Sequence, residues 1–570
     1  MRHSTGRAVA ALAAAAMAFM ASQSVPAGQS LAAAHVARFA WFEYSGTDGA
    51  AAPRGQYRNP ILAGFYSDPS IVRVGPDFYL VTSTFSWFPG LPVFHSRDLV
   101  HWRQIGNAID RSGQLDFGTL EMSRGLFAPS IAYHGGRFYI VNTCVDCGGN
   151  YVITATNPAG PWSDPVWLKS VEGIDPSLFF DADGKAWLVN NRAPAEPARY
   201  DGHRAIWIEG FDPKGLRMLG NPKMIVDGGV DPSANPVWIE GPHLYHVGRY
   251  YYLMAAEGGT SVNHSEVVLR AEAVDGPYRP APPGINPILT QRDLPADRAA
   301  PVSAAGHADL VQLPDGRWWS VFLATRPYAQ DFYNTGRETF LLPVTWRDGW
   351  PVILAQGEPV PKVAKAPLPP MPMGMPMTGS FTVRDTFDRP RLGPEWMTMR
   401  GAKVRIEGGE LTLAPAQDGL GDFGRPAFAA RRLQHADAIV TTELRFSPRE
   451  GEMAGLAAVQ NDAYFLALAV TRHDGHDLIR VARRAGAAEP RDGVTIVQRP
   501  IVPGRSIRLR MTVHGGRCDF AIGDRGGWTT IAHDVDATNL STERAGGFVG
   551  TMIGPFAQRA RADPPLRGSD

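Results

Sequence analysis

Cysteine is scarce in this chain, with Cys144, Cys147 and Cys518 the only three in 570 residues. That excludes a disulfide-framed fold. It also excludes a four-thiolate zinc site, because Cys144-Val-Asp-Cys147 has no second pair to complete it. Two readings stay open for the pair, a local disulfide or two buried thiols, and no function attaches to either. Surplus charge is missing too. Lys plus Arg and Asp plus Glu each number 56, so the formal net charge is zero. Nothing in that balance points to nucleic acid or an anionic membrane, and a neutral partner fits better. Long apolar runs are confined to residues 8–21, too short for a comfortable bilayer span. With Arg2 and Arg7 before it and small residues after it, this run reads as an export signal over 1–34, with cleavage after Ala27 or Ala34. The expectation is an exported protein, periplasmic or extracellular, with no membrane attachment once the signal is removed. Long helical periodicity is the last absence.

Hydrophobic residues make up 44% of the chain, enough for large cores and for two or three domains. Aromatics reach 10%, with 14 Trp, and such rings are platforms for sugars as well as core residues. The strongest signal is a recurring phrase. It reads Asp68-Pro-Ser-Ile-Val, Ala128-Pro-Ser-Ile-Ala, Asp175-Pro-Ser-Leu-Phe, Gly241-Pro-His-Leu-Tyr and His307-Ala-Asp-Leu-Val. Each copy runs on into an aromatic pair or a lone Trp. The openings are 60, 47, 66 and 66 residues apart. A unit of that size cannot bury its own sheet faces, so the copies must stack. Short β-rich runs separated by Gly, Asp and Pro match four-stranded blades. The prediction is an all-β chain: a five-bladed β-propeller over 35–357, whose lead-in (35–57) packs against it. A stiff Pro/Met-rich linker follows at 358–379. Alternating runs over 380–558 predict a β-sandwich, and 559–570 a disordered tail.

Radial stacking brings the openings to one axis. Asp68, Asp175, Glu240 (one residue ahead of the fourth copy) and His307 would then share a pocket. Glycosidic hydrolysis needs one protonated carboxyl to donate and one ionised carboxylate to activate water or attack. A third can raise the donor's pKa by repulsion. Packing gives no reason for acids on an axis, and unpaired buried acids are costly. Asp231-Pro-Ser, outside the repeat positions, reads as a plain turn. Plain alternation turns Glu240 to the wrong face, and a bulge would restore its aim. His307 is a core residue or a water or metal ligand. Arg326 and Arg337 are sugar-binding groups or salt-bridge partners, with Glu338 one candidate. Phe85, Trp87, Phe88 and Phe127 are candidate sugar walls, with core packing the alternative.

The phrases Asn59-Pro-Ile-Leu-Ala-Gly-Phe-Tyr-Ser-Asp-Pro-Ser, Ser83-Thr-Phe-Ser-Trp-Phe-Pro-Gly, Glu240-Gly-Pro-His-Leu-Tyr, Gly306-His-Ala-Asp-Leu-Val and Gly336-Arg-Glu-Thr-Phe-Leu resemble glycoside hydrolase family 43. Order and spacing over about 57–357 are those of its β-xylosidase-like members. The region from 380 resembles the concanavalin-like sandwich that follows their propeller. The resemblance implies an inverting mechanism with Asp68 as base, Glu240 as acid and Asp175 as the residue that raises and orients the acid. It implies Arg337 and Phe85 in the sugar site. Phe127 stands where many relatives have Trp. It implies no required cofactor, although His307 matches a histidine that in some members binds calcium or another cation near the pocket. The implied substrates are arabinoxylan and xylo-oligosaccharides, cut from non-reducing ends to release xylose or arabinose. Rival readings are a non-catalytic carbohydrate-binding propeller and a retaining five-bladed fructosidase.

Overall fold

The computed structural model describes residues 35–560 apart from 373, 503–505 and 525. The export signal and all but the first two residues of the tail fall outside these. Among the described residues no helix is long and apolar enough to cross a membrane.

Five antiparallel blades follow one another along the chain, three of four strands and two with a short fifth. Their inner strands are Ser70–Val74, Ser130–His134, Ile174–Phe180, Glu240–Val247 and Ser303–Gln312. Each second strand carries two consecutive apolar residues that a period of two sends to opposite faces. In blade 1, Leu80 packs against blade 5 and Val81 against blade 2. Ile140 and Val141 do the same for blades 1 and 3, and Leu188 and Val189 for blades 2 and 4. Leu253 with Met254, and Phe322 with Val321, complete the circle. Both faces of every blade are thus buried, which is why these strands read as unbroken apolar runs.

The ring is closed by the chain ahead of blade 1. Ile61 and Tyr66 donate backbone hydrogen bonds to Thr339 and Arg337 of blade 5, at 2.9 and 3.1 Å. The Asn59 side chain pairs both ways with the Leu341 backbone. The Pro/Met-rich segment is extended, as its composition predicts, and it is strapped to the propeller. Its strand Val363–Lys365 pairs with Gln56–Arg58, and Met371 N donates to Asp98 at 2.7 Å.

The second unit is a sandwich of two eight-stranded antiparallel sheets. Here the structure corrects the sequence reading. The lead-in strand Ala37–Thr47 does not pack on the propeller. It lies inside the first sandwich sheet, between Glu410–Leu413 and Asp437–Arg445. Its buried residues Phe39, Phe42 and Tyr44 fill the core between the two sheets, with Phe42 edge-on to Trp396 at 4.9 Å. Its alternating pattern was visible, but no local feature shows which distant sheet a strand will join. The predicted tail start at 559 is also early by one residue, since Met552–Arg559 is a strand of the second sheet.

The sandwich therefore depends on a strand more than 300 residues upstream of most of its partners. Phe42→Ala is expected to cost about 3–5 kcal/mol in denaturant unfolding. Hydrogen exchange should show the loss in strands 437–445 and 507–514. Faster exchange confined to the blades would assign the strand to the propeller instead.

Candidate active site

The inner strands do not begin as ordinary β-structure. Asp68, Asp175, Gly241 and His307, the opening residues of four copies, have φ of 54°, 54°, 56° and 55°. Register breaks at the same places, between Ile174 and Ser177, Glu240 and His243, and Gly306 and Asp309. A left-handed residue in a strand is a bulge that re-aims side chains. For three non-glycine residues it costs of order 1 kcal/mol each, and such strain gathers at functional sites. The bulge expected at Glu240 is present, but it is common to the copies. Glu240 reaches the pocket from the position just before it, where Ile174 and Phe127 also line the cavity.

A belt of hydrogen bonds just below the openings locks the blades together. Asp309, third in its copy, accepts from Ser70 Oγ at 2.7 Å, Ile71 N at 2.9 Å and Tyr245 OH at 2.7 Å. Ser70 Oγ in turn accepts from Ile131 N at 3.1 Å. Asp309 thus ties blades 1, 4 and 5, and Ser70 extends the tie to blade 2.

Above this belt lies a cavity of about 500 Å³. Asp68, Asp175, Glu240 and His307 line it, as their repeat positions predict, and so do Phe127 and the resemblance-implied Arg337 and Phe85. Asp68 is buried against the Arg337 guanidinium, with Nη1 to Oδ1 at 3.1 Å and Nη2 to Oδ2 at 3.5 Å. It also accepts from Ser83 Oγ. Burial pushes the Asp68 carboxyl up, but Arg337 and the Ser83 and Ser67 hydroxyls outweigh it and hold it below the usual carboxylate value.

The other two acids go the opposite way. Burial raises Asp175, and the neighbouring Glu240 and Asp68 charges raise it further. Gly241 N donates to its Oδ2 at 3.2 Å. Burial, with Asp68 adding to it, lifts Glu240 to about 7 against the opposing pull of Arg337 and Arg204. Asp175 and Glu240 titrate as a pair that gives up its last proton late. His307, close-packed over Gly241, is driven down to about 3 by burial and is neutral at physiological pH. Its Nδ1 stands 4.0 Å from Asp68.

Two predicted sugar contacts are corrected. Trp87 is fully buried away from the cavity. Its strand Trp87–Phe88 pairs with Met397–Met399, at the edge of the second sandwich sheet, and its ring packs near Phe428. Arg326 serves as a brace. It binds Glu338 at 2.6 Å and Asp48 at 2.6 Å, and donates to Gln434 O at 3.3 Å, joining blade 5 to the lead-in and the sandwich. Asp231 caps a short turn through Ser233, as expected. Cys144 and Cys147 form a disulfide, which settles that choice.

Sequence reasoning missed several lining residues, among them Arg124, Arg204, Trp238, Thr260 and Phe548. Trp238 sits two residues before Glu240, but it lies outside any strand with a left-handed φ of 52°, so alternation could not place it. Phe548 comes from the sandwich, outside any repeat, and its ring lies 5.8 Å from both Phe85 and Phe127. Phe548 N donates to Ser123 Oγ at 2.8 Å, which pins the loop to the propeller.

Comparison with known proteins meets this architecture at both ends. Residues 57–351 match the model of glycosyl hydrolases family 43, and 384–564 that of the beta xylosidase C-terminal concanavalin A-like domain. A xylosidase/arabinosidase of Butyrivibrio fibrisolvens is 36% identical over 517 residues, 88% of this chain and 95% of the relative. A non-reducing end alpha-L-arabinofuranosidase of Bacteroides ovatus is 36% identical over 514 residues, 88% of this chain and 91% of the relative. The crystal structure of a GH43_12 retrieved from a capybara gut metagenome superposes with a TM-score of 0.84 at 38% identity. It covers 91% of this chain and 99% of that one. The chain, propeller and sandwich together, belongs to glycoside hydrolase family 43 and is a glycoside hydrolase.

Proposed function

We infer that the enzyme removes terminal xylose or arabinose from hemicellulose oligosaccharides by single displacement. One observation carries the reading: acids in one cavity are pushed in opposite directions. Asp68 stays ionised and can take a proton from water as that water attacks the anomeric carbon. Glu240 keeps its proton towards neutrality and can give it to the departing oxygen. Asp175 and Glu240 resist being ionised together, so the pair holds a proton that Glu240 can deliver. A propeller that only binds sugar has no use for an acid held in its neutral form. Phe85, Phe127 and Phe548 wall one side of the cavity beside these groups, which favours a chain end over an internal bond. The relatives named for xylosidase and arabinosidase activity support a pentose.

The cation question turns on the same residues. Ligand atoms of Asp175, Glu240 and His307 lie within 4.8 Å of one another. By chemistry, two carboxylates and a neutral imidazole suit a divalent ion. Such an ion would hold Glu240 as an anion and deprive it of the proton it must donate. The donor set therefore does not fit a resident metal while Glu240 acts as the acid, and no step is assigned to one.

Asp68→Asn should lower kcat by about 10²–10⁴-fold, and near-normal turnover would rule Asp68 out as the base. The first product anomer seen by NMR should be inverted relative to the substrate, and retention would make Asp68 a nucleophile.

The rate needs Asp68 ionised and Glu240 protonated. It should therefore fall as pH rises through about 7, and on the acid side only below the ordinary carboxylate range. Asp175→Asn removes the charge that resists the last deprotonation, so the basic limb should move down by about 1 pH unit. A limb that stays or moves up contradicts the assigned role. Exhaustive chelation should leave kcat unchanged. A loss restored by calcium would show that the ion and the acid coexist.

A further inference from the structure

The hydrolase reading gives work to Asp68, Arg337, Phe85 and Phe548. Arg204, Trp238 and Thr260 line the same cavity and are left without a role. A cavity of about 500 Å³ lies in the range that accepts a drug-sized ligand, more than a single pentose requires. Trp238 is built in an unusual way. Its φ is 52°, a left-handed conformation that is a true outlier for a bulky side chain. Its backbone N–H donates to Gly202 O at 2.8 Å, and Gly258 N donates to Val237 O at 2.8 Å. A side chain at Gly202 would strike Val237 at 2.8 Å and crowd the Trp238 ring at 3.3 Å. The close approach therefore needs glycine there.

Arg204 is stacked on this ring, its guanidinium carbon 4.2 Å from the centroid. The segment that carries Arg204 is fixed from behind. Arg199 and His203 bind Asp227 at 2.7 and 2.8 Å, and Tyr200 OH donates to Pro236 O at 2.9 Å. Two strained or braced segments thus converge on one cation–π pair whose exposed parts face the cavity. Strain held in place by its surroundings marks ligand clamps.

Position gives the pair its meaning. Trp238 and Glu240 have one residue between them and line the same cavity, and Arg204 lies close enough to act on the Glu240 charge. The acid must sit beside the oxygen that leaves, and what leaves with that oxygen is the next sugar. We propose that Trp238 and Arg204 form the platform for the leaving-group sugar, the second pyranose of a xylo-oligosaccharide. The Trp238 ring meets the apolar face of that sugar, and the Arg204 guanidinium donates to its hydroxyl oxygens. The charge of Arg204 has a second effect, since it favours the ionised form of Glu240. The platform rests on the hydrolase reading above, and it adds what that reading lacks, a determinant of leaving-group specificity.

The test compares two ligands. Kinetics on a short xylo-oligosaccharide with a terminal xylose or arabinose report on the terminal sugar and on the leaving-group sugar. Competitive inhibition by the corresponding free monosaccharide reports on the terminal-sugar position alone. Trp238→Ala is expected to lower kcat/KM for the oligosaccharide by about 10–100-fold and to leave the inhibition constant of the monosaccharide within about twofold. Trp238→Phe should recover most of the loss, since an aromatic face remains. Arg204→Met should weaken oligosaccharide turnover less and move the basic limb of the pH profile upward. An unchanged oligosaccharide rate in Trp238→Ala would overturn the platform. So would a loss shared equally by the monosaccharide in both Trp238→Phe and Arg204→Met. A wild-type enzyme that turns over no terminal pentoside would fail the hydrolase reading itself, and the platform with it.

Discussion

The left-handed opening of the inner strands is the constraint on which the rest depends. A regular strand entering the axis would point alternate residues into the neighbouring blades, and no acid would be welcome there. Turning φ positive at Asp68, Asp175, Gly241 and His307 lifts these positions out of the ladder and presents them to a common cavity. The conformation is locally unfavourable, so something must hold it. Part of that hold is the belt centred on Asp309, which anchors the third residue of the phrase just below the bulge. Structure and chemistry thus use adjacent positions of one short phrase. The opening faces the cavity, and two residues later the chain is tied to the next blade.

The sandwich is part of the site as well as an addition to the chain. Its second sheet is covered on one side by its partner sheet and on the other by the propeller, where Phe65, Phe85 and Trp87 meet Met397, Phe428, Met552 and Phe556. Trp87 and Phe85 are two residues apart. One closes the seam between the units and the other lines the cavity, so the seam fixes the cavity wall. Phe548 completes that wall from the far side. Arg326, with Glu338, Asp48 and Gln434, ties the units together at a second place. The buried Glu338 that anchors it is the immediate neighbour of Arg337, so this tie also steadies the arginine that holds Asp68.

What the sequence disclosed followed from repetition. The five copies located five inner strands, and their openings located Asp68, Asp175, Glu240 and His307 around one cavity, while the family resemblance added Arg337 and Phe85. Residue type could not tell a cavity wall from a seam, so Trp87 looked like Phe85. Nor could it tell a brace from a ligand, so Arg326 looked like Arg337. Both decisions are made by contacts with residues hundreds of positions away. The strand Ala37–Thr47 failed for the same reason, since alternation reveals a half-buried strand but not its partner sheet. Trp238 was overlooked because its left-handed backbone, just outside the strand, breaks the alternation that would have placed it. Phe548 had no signal either, because it belongs to no repeat and its role exists only once the two units have docked.

The charge balance of the cavity explains why an acid survives there in its neutral form. Three carboxyls face one closely bound guanidinium. His307 cannot help, because burial has already stripped its proton. Arg337 is committed to Asp68 through both nitrogens, and Arg204 is spread over the Trp238 ring. With Asp68 satisfied, Asp175 and Glu240 are left in a desolvated space with no cation of their own. Two adjacent buried anions would cost far more than one anion and one neutral acid. A proton is the smallest charge that resolves the conflict, and it is also the reagent the leaving oxygen requires. The protein therefore needs no special device to store the catalytic proton. It needs only to give its single close arginine to the wrong partner for neutralising the pair, and that is what the geometry of Asp68 and Arg337 does.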